Sequence, residues 1–143
     1  MESKAEEDRI QIRVIEPDNE TGIEADRDKI KQVILNLLSN ALKYNRPNGS
    51  VILKTEVRVN EIVISVQDTG VGIPEDAIGH IFEKFYRVRE NESKAAGTGL
   101  GLSICKKIIQ GHGGAIEIKS KIGIGTNILI TLPRVSKTIP RKN

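Results

Sequence analysis

The 143-residue chain has a single cysteine, Cys105, so no disulfide can form within it. It has no Cys-x-x-Cys pair and no cluster of His and Cys, which argues against a zinc centre. Trp is absent and there are two Tyr and two Phe, so Ile, Leu and Val must fill the core. No apolar run approaches the ~20 residues that span a bilayer. The charged opening, MESKAEEDR, lacks the apolar heart of a secretory signal. A strong excess of one charge is missing too. With 22 basic and 19 acidic residues the formal net charge is +3, a mixed solvated surface and not the footprint of a nucleic-acid binder. There is no internal repeat. These absences leave one cytoplasmic domain, on its own or as the cytoplasmic part of a larger, membrane-bound protein.

What is present divides into three. Residues 1–9 read as a linker or remnant, residues 10–134 as the folded domain, and residues 135–143 as a basic tail containing Lys137, Arg141 and Lys142. Ile10, Ile12 and Val14 alternate with polar residues and predict a half-buried strand. A helix is expected from Asp26 to Tyr44, with Ile30, Val33, Ile34, Leu37, Leu38 and Ala41 on one face and an Asp as cap. Asn45-Arg46-Pro47-Asn48-Gly49 stops it. Val51 to Val59 and Ile62 to Val66 form a hairpin with a tight connection at Asn60-Glu61, and Asp68 falls in phase with Ile62, Ile64 and Val66. A short helix is expected over Ile78–Phe85. A longer one should cover Leu100–His112, with Leu102, Ile104, Cys105, Ile108 and Ile109 inward and Gly113-Gly114 as its stop. Strands at Ile116–Ile118 and Ile128–Leu132, joined at Gly123-Ile124-Gly125, complete the chain. Hairpins rule out an all-parallel sheet. The expected fold is α+β, a two-layer α/β sandwich whose mixed, mostly antiparallel sheet is covered on one face by helices.

Three polar features carry the chemistry. Gln32, Asn36, Asn40 and Tyr44 step by four along the first helix, with Lys43 beside the last. An exposed face would ordinarily hold Glu and Lys, because Asn lowers helix propensity. Amide oxygens suit Mg²⁺, Lys43 suits phosphate, and a Tyr ring suits a base. Asp68-Thr69-Gly70-Val71-Gly72-Ile73-Pro74 places a coreward carboxylate, which needs hydrogen-bond donors, before glycines that let a planar ring approach the backbone. A tight turn after a strand would by itself explain this motif. Gly97-Thr98-Gly99-Leu100-Gly101-Leu102 precedes a helix, where free N–H groups attract phosphate. It is not a Walker loop, since no Gly-Lys-Ser/Thr follows, and it is a poor Rossmann fingerprint.

In this order, and with Ile81-Phe82-Glu83-Lys84-Phe85-Tyr86-Arg87 and Gly123-Ile124-Gly125-Thr126, the motifs resemble the histidine-kinase branch of the ATPase superfamily shared with gyrase, the Hsp90 chaperones and MutL. The resemblance spans Asp26 to Leu132. Asn36–Tyr44 is similar to the family's N box, Asp68–Ile73 and Gly97–Leu102 to its glycine boxes, and Phe82–Arg87 to its phenylalanine box. It implies ATP or ADP with Mg²⁺ as ligands. Asp68 would bond the adenine amine, Gly70, Gly72 and Ile73 would line the ring pocket, and Tyr44 would pack on the base. Asn40 would hold Mg²⁺, with Asn36 beside it. Lys43, Tyr86 and Arg87 would meet phosphates, as would the backbone of Gly97, Thr98, Gly99, Leu100, Gly101 and Leu102. Thr126 would complete the cofactor set. Residues from Glu75 to Gly101 would form a long ATP lid.

In the gyrase, Hsp90 and MutL branches a Glu stands one turn before the magnesium Asn and activates water. Asn36, an amide, cannot serve as that base. The resemblance therefore implies transfer of the γ-phosphate to a histidine on a separate dimerisation and phosphoacceptor domain, with a response regulator receiver domain as the next partner. Asn36, Lys43 and Arg87 would assist the transfer. Of the two histidines, His80 reads as surface and His112 as a cap residue, so neither is the acceptor. Cys105 reads as a small core residue. The isolated chain is expected to be monomeric. An anti-sigma-type serine kinase and a nucleotide-binding interaction module without catalysis remain alternatives.

Overall fold

The computed structural model describes residues 9–16, 26–83 and 101–134. The elements are β1 (Gln11–Ile15), α1 (Arg27–Lys43), β2 (Ser50–Val57), β3 (Glu61–Asp68), α2 (Glu75–Ile78), α3 (Gly101–Gly111), β4 (Ala115–Lys121) and β5 (Gly125–Pro133). They build one five-stranded sheet in the order β1-β2-β3-β5-β4. β1 and β2 run parallel, and the other three pairs are antiparallel. Helices α1 and α3 pack on each other and on β2, β3 and β4.

Local rules explain α1. Asp26 is extended, and its Oδ1 accepts the Lys29 N–H at 3.2 Å, which satisfies one of the helix's free donors. Val33, Leu37, Ala41 and Leu42 are buried, at 0, 1, 3 and 1% exposure, and meet Val51, Ile62, Ile64 and Val66 from the sheet. Each of these Val, Leu and Ile side chains contributes about 1.5–3 kcal/mol by leaving water. α3 adds Cys105 and Ile109 to the same core. It ends in a Schellman turn, with the Gly114 N–H on the Ile109 carbonyl at 2.9 Å and the Gly113 N–H on that of Gln110 at 3.0 Å.

The sequence pattern errs in four places. β1 is exposed along its whole length, with Ile12 at 42% and Val14 at 57%, and only Ile10 enters the core. It is an edge strand paired with β2 alone, and the helices lie mainly over β2 to β4. The β2–β3 connection is Arg58-Val59-Asn60, closed by the Arg58 N–H on the Glu61 carbonyl at 2.8 Å, so Val59 is exposed and Glu61 opens the next strand. The short helix is Glu75–Ile78, started by Pro74 and an acidic first turn; turns follow it, and Phe85 lies outside the described residues. In α3, Ser103 is buried and Ile104 is 37% exposed, so the inward face is centred on 102, 105 and 109.

Candidate functional site

One end of the core-facing sheet surface turns polar. Strand register sets Asp68 beside Thr126, and Thr126 beside Ser120. All three continue apolar rows: Ile62, Ile64 and Val66 in β3; Ile128, Ile130 and Leu132 in β5; Ile116 and Ile118 in β4. Asp68 is half-buried, and its Oδ1 accepts the Gly70 N–H at 2.8 Å. Burial pushes its carboxyl up to about 6, although the backbone N–H groups of Gly70 and Thr126 oppose the rise by favouring the charged form. An isolated carboxylate here lacks the donors that would fully offset its desolvation.

The chain after Asp68 folds back onto the end of α1. The Val71 N–H donates to the Tyr44 carbonyl at 3.0 Å, and the Gly123 N–H to that of Val71 at 3.0 Å. The Ile73 N–H donates to Ser120 Oγ at 2.8 Å. That hydroxyl lies 2.8 Å from Thr126 Oγ1 and 2.9 Å from the Gly125 carbonyl. A Cβ at Gly70 would strike the Tyr44 carbonyl, and one at Gly72, where φ is +78°, would strike that of Lys121. These glycines are therefore required by backbone meeting backbone, a different reason from the ring approach that the sequence suggested.

Three residues outside the sequence-derived set hold this turn. Asn45, 8% exposed, donates to the Ser50 carbonyl at 3.0 Å and accepts the Arg46 N–H at 2.9 Å and the Thr69 hydroxyl at 3.1 Å. Arg46 donates to the carbonyls of Thr69, Gly70 and Gly123 at 2.8, 3.0 and 2.8 Å. Ser120 is the third. Its phase with Ile116 and Ile118 was a readable sign of a polar group facing inward; Asn45 and Arg46 gave no sign beyond lying in a helix stop.

α1 carries the remaining groups along one ridge. Tyr44 is its C-cap and half-buried, Lys43 is exposed, and Asn40 and Asn36 are half-buried. Asn36 and Tyr44 are about 12 Å apart along the axis at 1.5 Å per residue. The Asn36 amide donates to Cys105 Sγ in α3 at 3.8 Å, and that thiol lies 3.9 Å from the Val33 carbonyl. Burial pushes the Cys105 thiol up to about 11. Gly101 and Leu102 open α3 and are half-buried. Tyr86, Arg87, Gly97, Thr98, Gly99 and Leu100 lie outside the described residues, as does most of the expected lid. The Phe82 ring, which precedes that stretch, lies under the Lys106 ammonium of α3, 5.5 Å from its centre. Among the described residues no group of three or more His, Cys, Asp or Glu could hold a metal.

The two histidines take structural places. His80 is exposed, with Nδ1 2.8 Å from Glu83. His112 Nδ1 donates to the Ile108 carbonyl at 2.8 Å, and Nε2 accepts the Asp26 N–H at 2.9 Å, so the ring joins the end of α3 to the start of α1.

Comparison with known proteins agrees with this geometry. The pattern of the family described as histidine kinase-, DNA gyrase B-, and HSP90-like ATPase matches residues 25–136. The sensor histidine kinase WalK of Bacillus subtilis is 46% identical over 120 residues, which cover 82% of this chain and 20% of that protein. The chain thus spans about a fifth of the length of the curated relatives it matches. Among solved structures, the nucleotide-free catalytic domain of histidine kinase ThkA is 36% identical with a TM-score of 0.79, over 93% of this chain and 86% of that one. ThkA is also solved with the response regulator protein TrrA (34% identity, TM-score 0.74, 94% of this chain and 37% of that one). Full-length ShkA in complex with AMPPNP is 29% identical with a TM-score of 0.80, over 94% of this chain and 28% of that one. The α+β sheet with helices on one face is the fold of these catalytic domains.

Proposed function

The chain belongs to the histidine kinase-, DNA gyrase B-, and HSP90-like ATPase family, and on that premise we propose that it binds Mg²⁺-ATP and phosphorylates a histidine on a separate dimerisation and phosphoacceptor domain. A response regulator receiver domain is the onward acceptor, in line with the ThkA–TrrA pair. The observation that carries the reading is Asp68, a carboxylate held inward at a strand end with its charge only partly compensated. An adenine amine supplies the missing donor. ShkA, which has the same fold, is solved with an ATP analogue.

Tyr44, Gly70, Gly72, Ile73 and Thr126 surround the base. The ridge from Tyr44 back to Asn36 is comparable in length to a nucleoside triphosphate, which puts the phosphates toward α3. Asn40 offers an amide oxygen to Mg²⁺, with Asn36 nearby. A cation held mostly by phosphate oxygens and water needs no protein cage, as suits a donor set of amides. When bound, Mg²⁺ screens the phosphate charge. Lys43, Tyr86 and Arg87 add positive charge or hydrogen bonds, and the backbone of Gly97–Leu102 wraps the phosphates at the start of α3.

An acceptor imidazole nitrogen attacks the γ-phosphorus, the bond to the β–γ bridging oxygen breaks, and ADP leaves. Hydrolysis is disfavoured. Asn36 is an amide, and the thiol it contacts keeps its proton at neutral pH, so neither takes a proton from water. The chain works in the cytoplasm, as the cytoplasmic part of a larger sensor kinase. No helix among the described residues is long and apolar enough to cross a membrane. Alone, the chain is monomeric, and a sedimentation mass of two chains contradicts that.

The test mixes the chain with ATP and a purified phosphoacceptor domain of the parent protein. Acid-labile phosphohistidine on that domain is the expected product. Bound ATP with no transfer makes the chain a binding module, and phosphoserine on another partner makes it an anti-sigma-type kinase.

A further inference from the structure

Arg46 lies beyond the helix that bears the amide ridge, and none of the roles above falls to it. Its Nε donates to the Thr69 carbonyl at 2.8 Å. One terminal nitrogen donates to the carbonyls of Gly70 at 3.0 Å and Gly123 at 2.8 Å. The fork therefore joins two segments distant in sequence, the turn after β3 and the turn between β4 and β5.

The bond to Thr69 has a directional consequence. The Thr69 carbonyl and the Gly70 N–H belong to one peptide unit, which is planar and trans. Fixing the direction of its C=O fixes that of its N–H, and this N–H donates to Asp68 Oδ1 at 2.8 Å. Arg46 thus grips the outer end of the peptide whose inner end holds the Asp68 carboxylate. The grip on Gly123 steadies the loop against which Gly72 packs. A planar guanidinium can serve three carbonyls from one position, whereas a lysine ammonium has a single donor atom.

We propose that Arg46 is a positioning residue of the base pocket, acting through the Thr69–Gly70 peptide to aim the Asp68 carboxylate at the adenine amine. The proposal rests on the nucleotide reading given above. It makes Arg46 a determinant of base binding and not a phosphate anchor, although its positive charge invites the second role.

The test uses Arg46→Met and Arg46→Lys, each first shown to unfold cooperatively. Calorimetry measures ATP and inorganic tripolyphosphate binding at pH 8. Carbon-13 carboxyl titration follows Asp68 in the nucleotide-free proteins. For Arg46→Met the expected result is ATP affinity about tenfold lower, the loss of one charge-assisted hydrogen bond, with tripolyphosphate unchanged. The Asp68 midpoint moves upward from near 6, because a donor to its charged form is weakened. Arg46→Lys keeps the charge and should lie closer to Arg46→Met than to the wild type. ATP affinity within twofold of wild type and an unmoved Asp68 midpoint would overturn the proposal. So would parallel losses of ATP and tripolyphosphate that Arg46→Lys repairs, which would assign Arg46 to phosphate. Should the wild type bind no adenine nucleotide, the function reading fails, and the Asp68 titration still decides the role of Arg46.

Discussion

The two ends of the α1 ridge are built by different forces. Around Tyr44 and Asp68, directional hydrogen bonds of 2.8–3.1 Å tie backbone to Asn45, Arg46 and Ser120, and tie Asn45 and Ser120 to the hydroxyls of Thr69 and Thr126. Around Asn36, the neighbours are a thiol at 3.8 Å and the apolar packing of α1 on α3. A planar base of fixed shape suits the first kind of wall. Phosphates, which bring charge and a cation with them, suit the second, where direction comes from the ligand as much as from the protein. The contrast leads us to expect that changes at the Asp68 end alter base recognition, and that changes at the α3 end alter stability or phosphate binding and leave the base unaffected.

Asp68→Asn should break the contrast hardest. Removing the charged acceptor is expected to weaken ATP by 10- to 100-fold in calorimetry, about 1.5–3 kcal/mol. The nucleotide-free protein should meanwhile melt higher at pH 8, because the substitution removes a partly compensated buried charge. A lower melting temperature would show that the carboxylate is a structural anchor instead.

Acidity separates the same two effects next. The Asp68 carboxyl is raised from 3.8 to about 6 on folding. Its burial cost to stability is thus fully present above pH 6 and is relieved as pH falls from 6 toward 4. Binding has the opposite sign. ATP affinity should fall up to tenfold for each pH unit below 6, as the acceptor is protonated. Melting and titration series over pH 5–8 give both slopes, and an affinity flat down to pH 5 would detach the base from Asp68.

Two smaller effects belong to the opposite end. Cys105→Ser places a hydroxyl in a fully buried site and should lower stability by about 1–3 kcal/mol in urea titration, with ATP affinity within twofold at saturating folded protein. His112→Ala removes the bridge between the Asp26 N–H and the Ile108 carbonyl and should cost about 1 kcal/mol, again without touching base affinity. A tenfold loss of ATP in either variant, with tripolyphosphate binding unchanged, would show that the two ends are not independent.

The sequence disclosed what depends on local periodicity. Helix α1 is capped by Asp26 and Tyr44, at the two ends its spacing marks, and β3 places Asp68 in phase with Ile62, Ile64 and Val66. It could not disclose the edge position of β1, because alternation looks alike in a covered and an uncovered strand. Nor could it disclose Arg46, whose acceptors lie 23, 24 and 77 residues away. The short helix slipped to Glu75–Ile78 because Pro74 and two acidic residues set its start more firmly than the apolar residues further on.

The most direct measurement of the central claim pairs ATP with inosine triphosphate, calorimetrically, at pH 8. The two share phosphates and ribose, but inosine presents a carbonyl oxygen where adenine presents its amine. If Asp68 reads that amine, the wild type should prefer ATP by at least about tenfold, and Asp68→Asn should lose most of the preference. Equal affinity for the two in the wild type would contradict the assignment of Asp68 to the base.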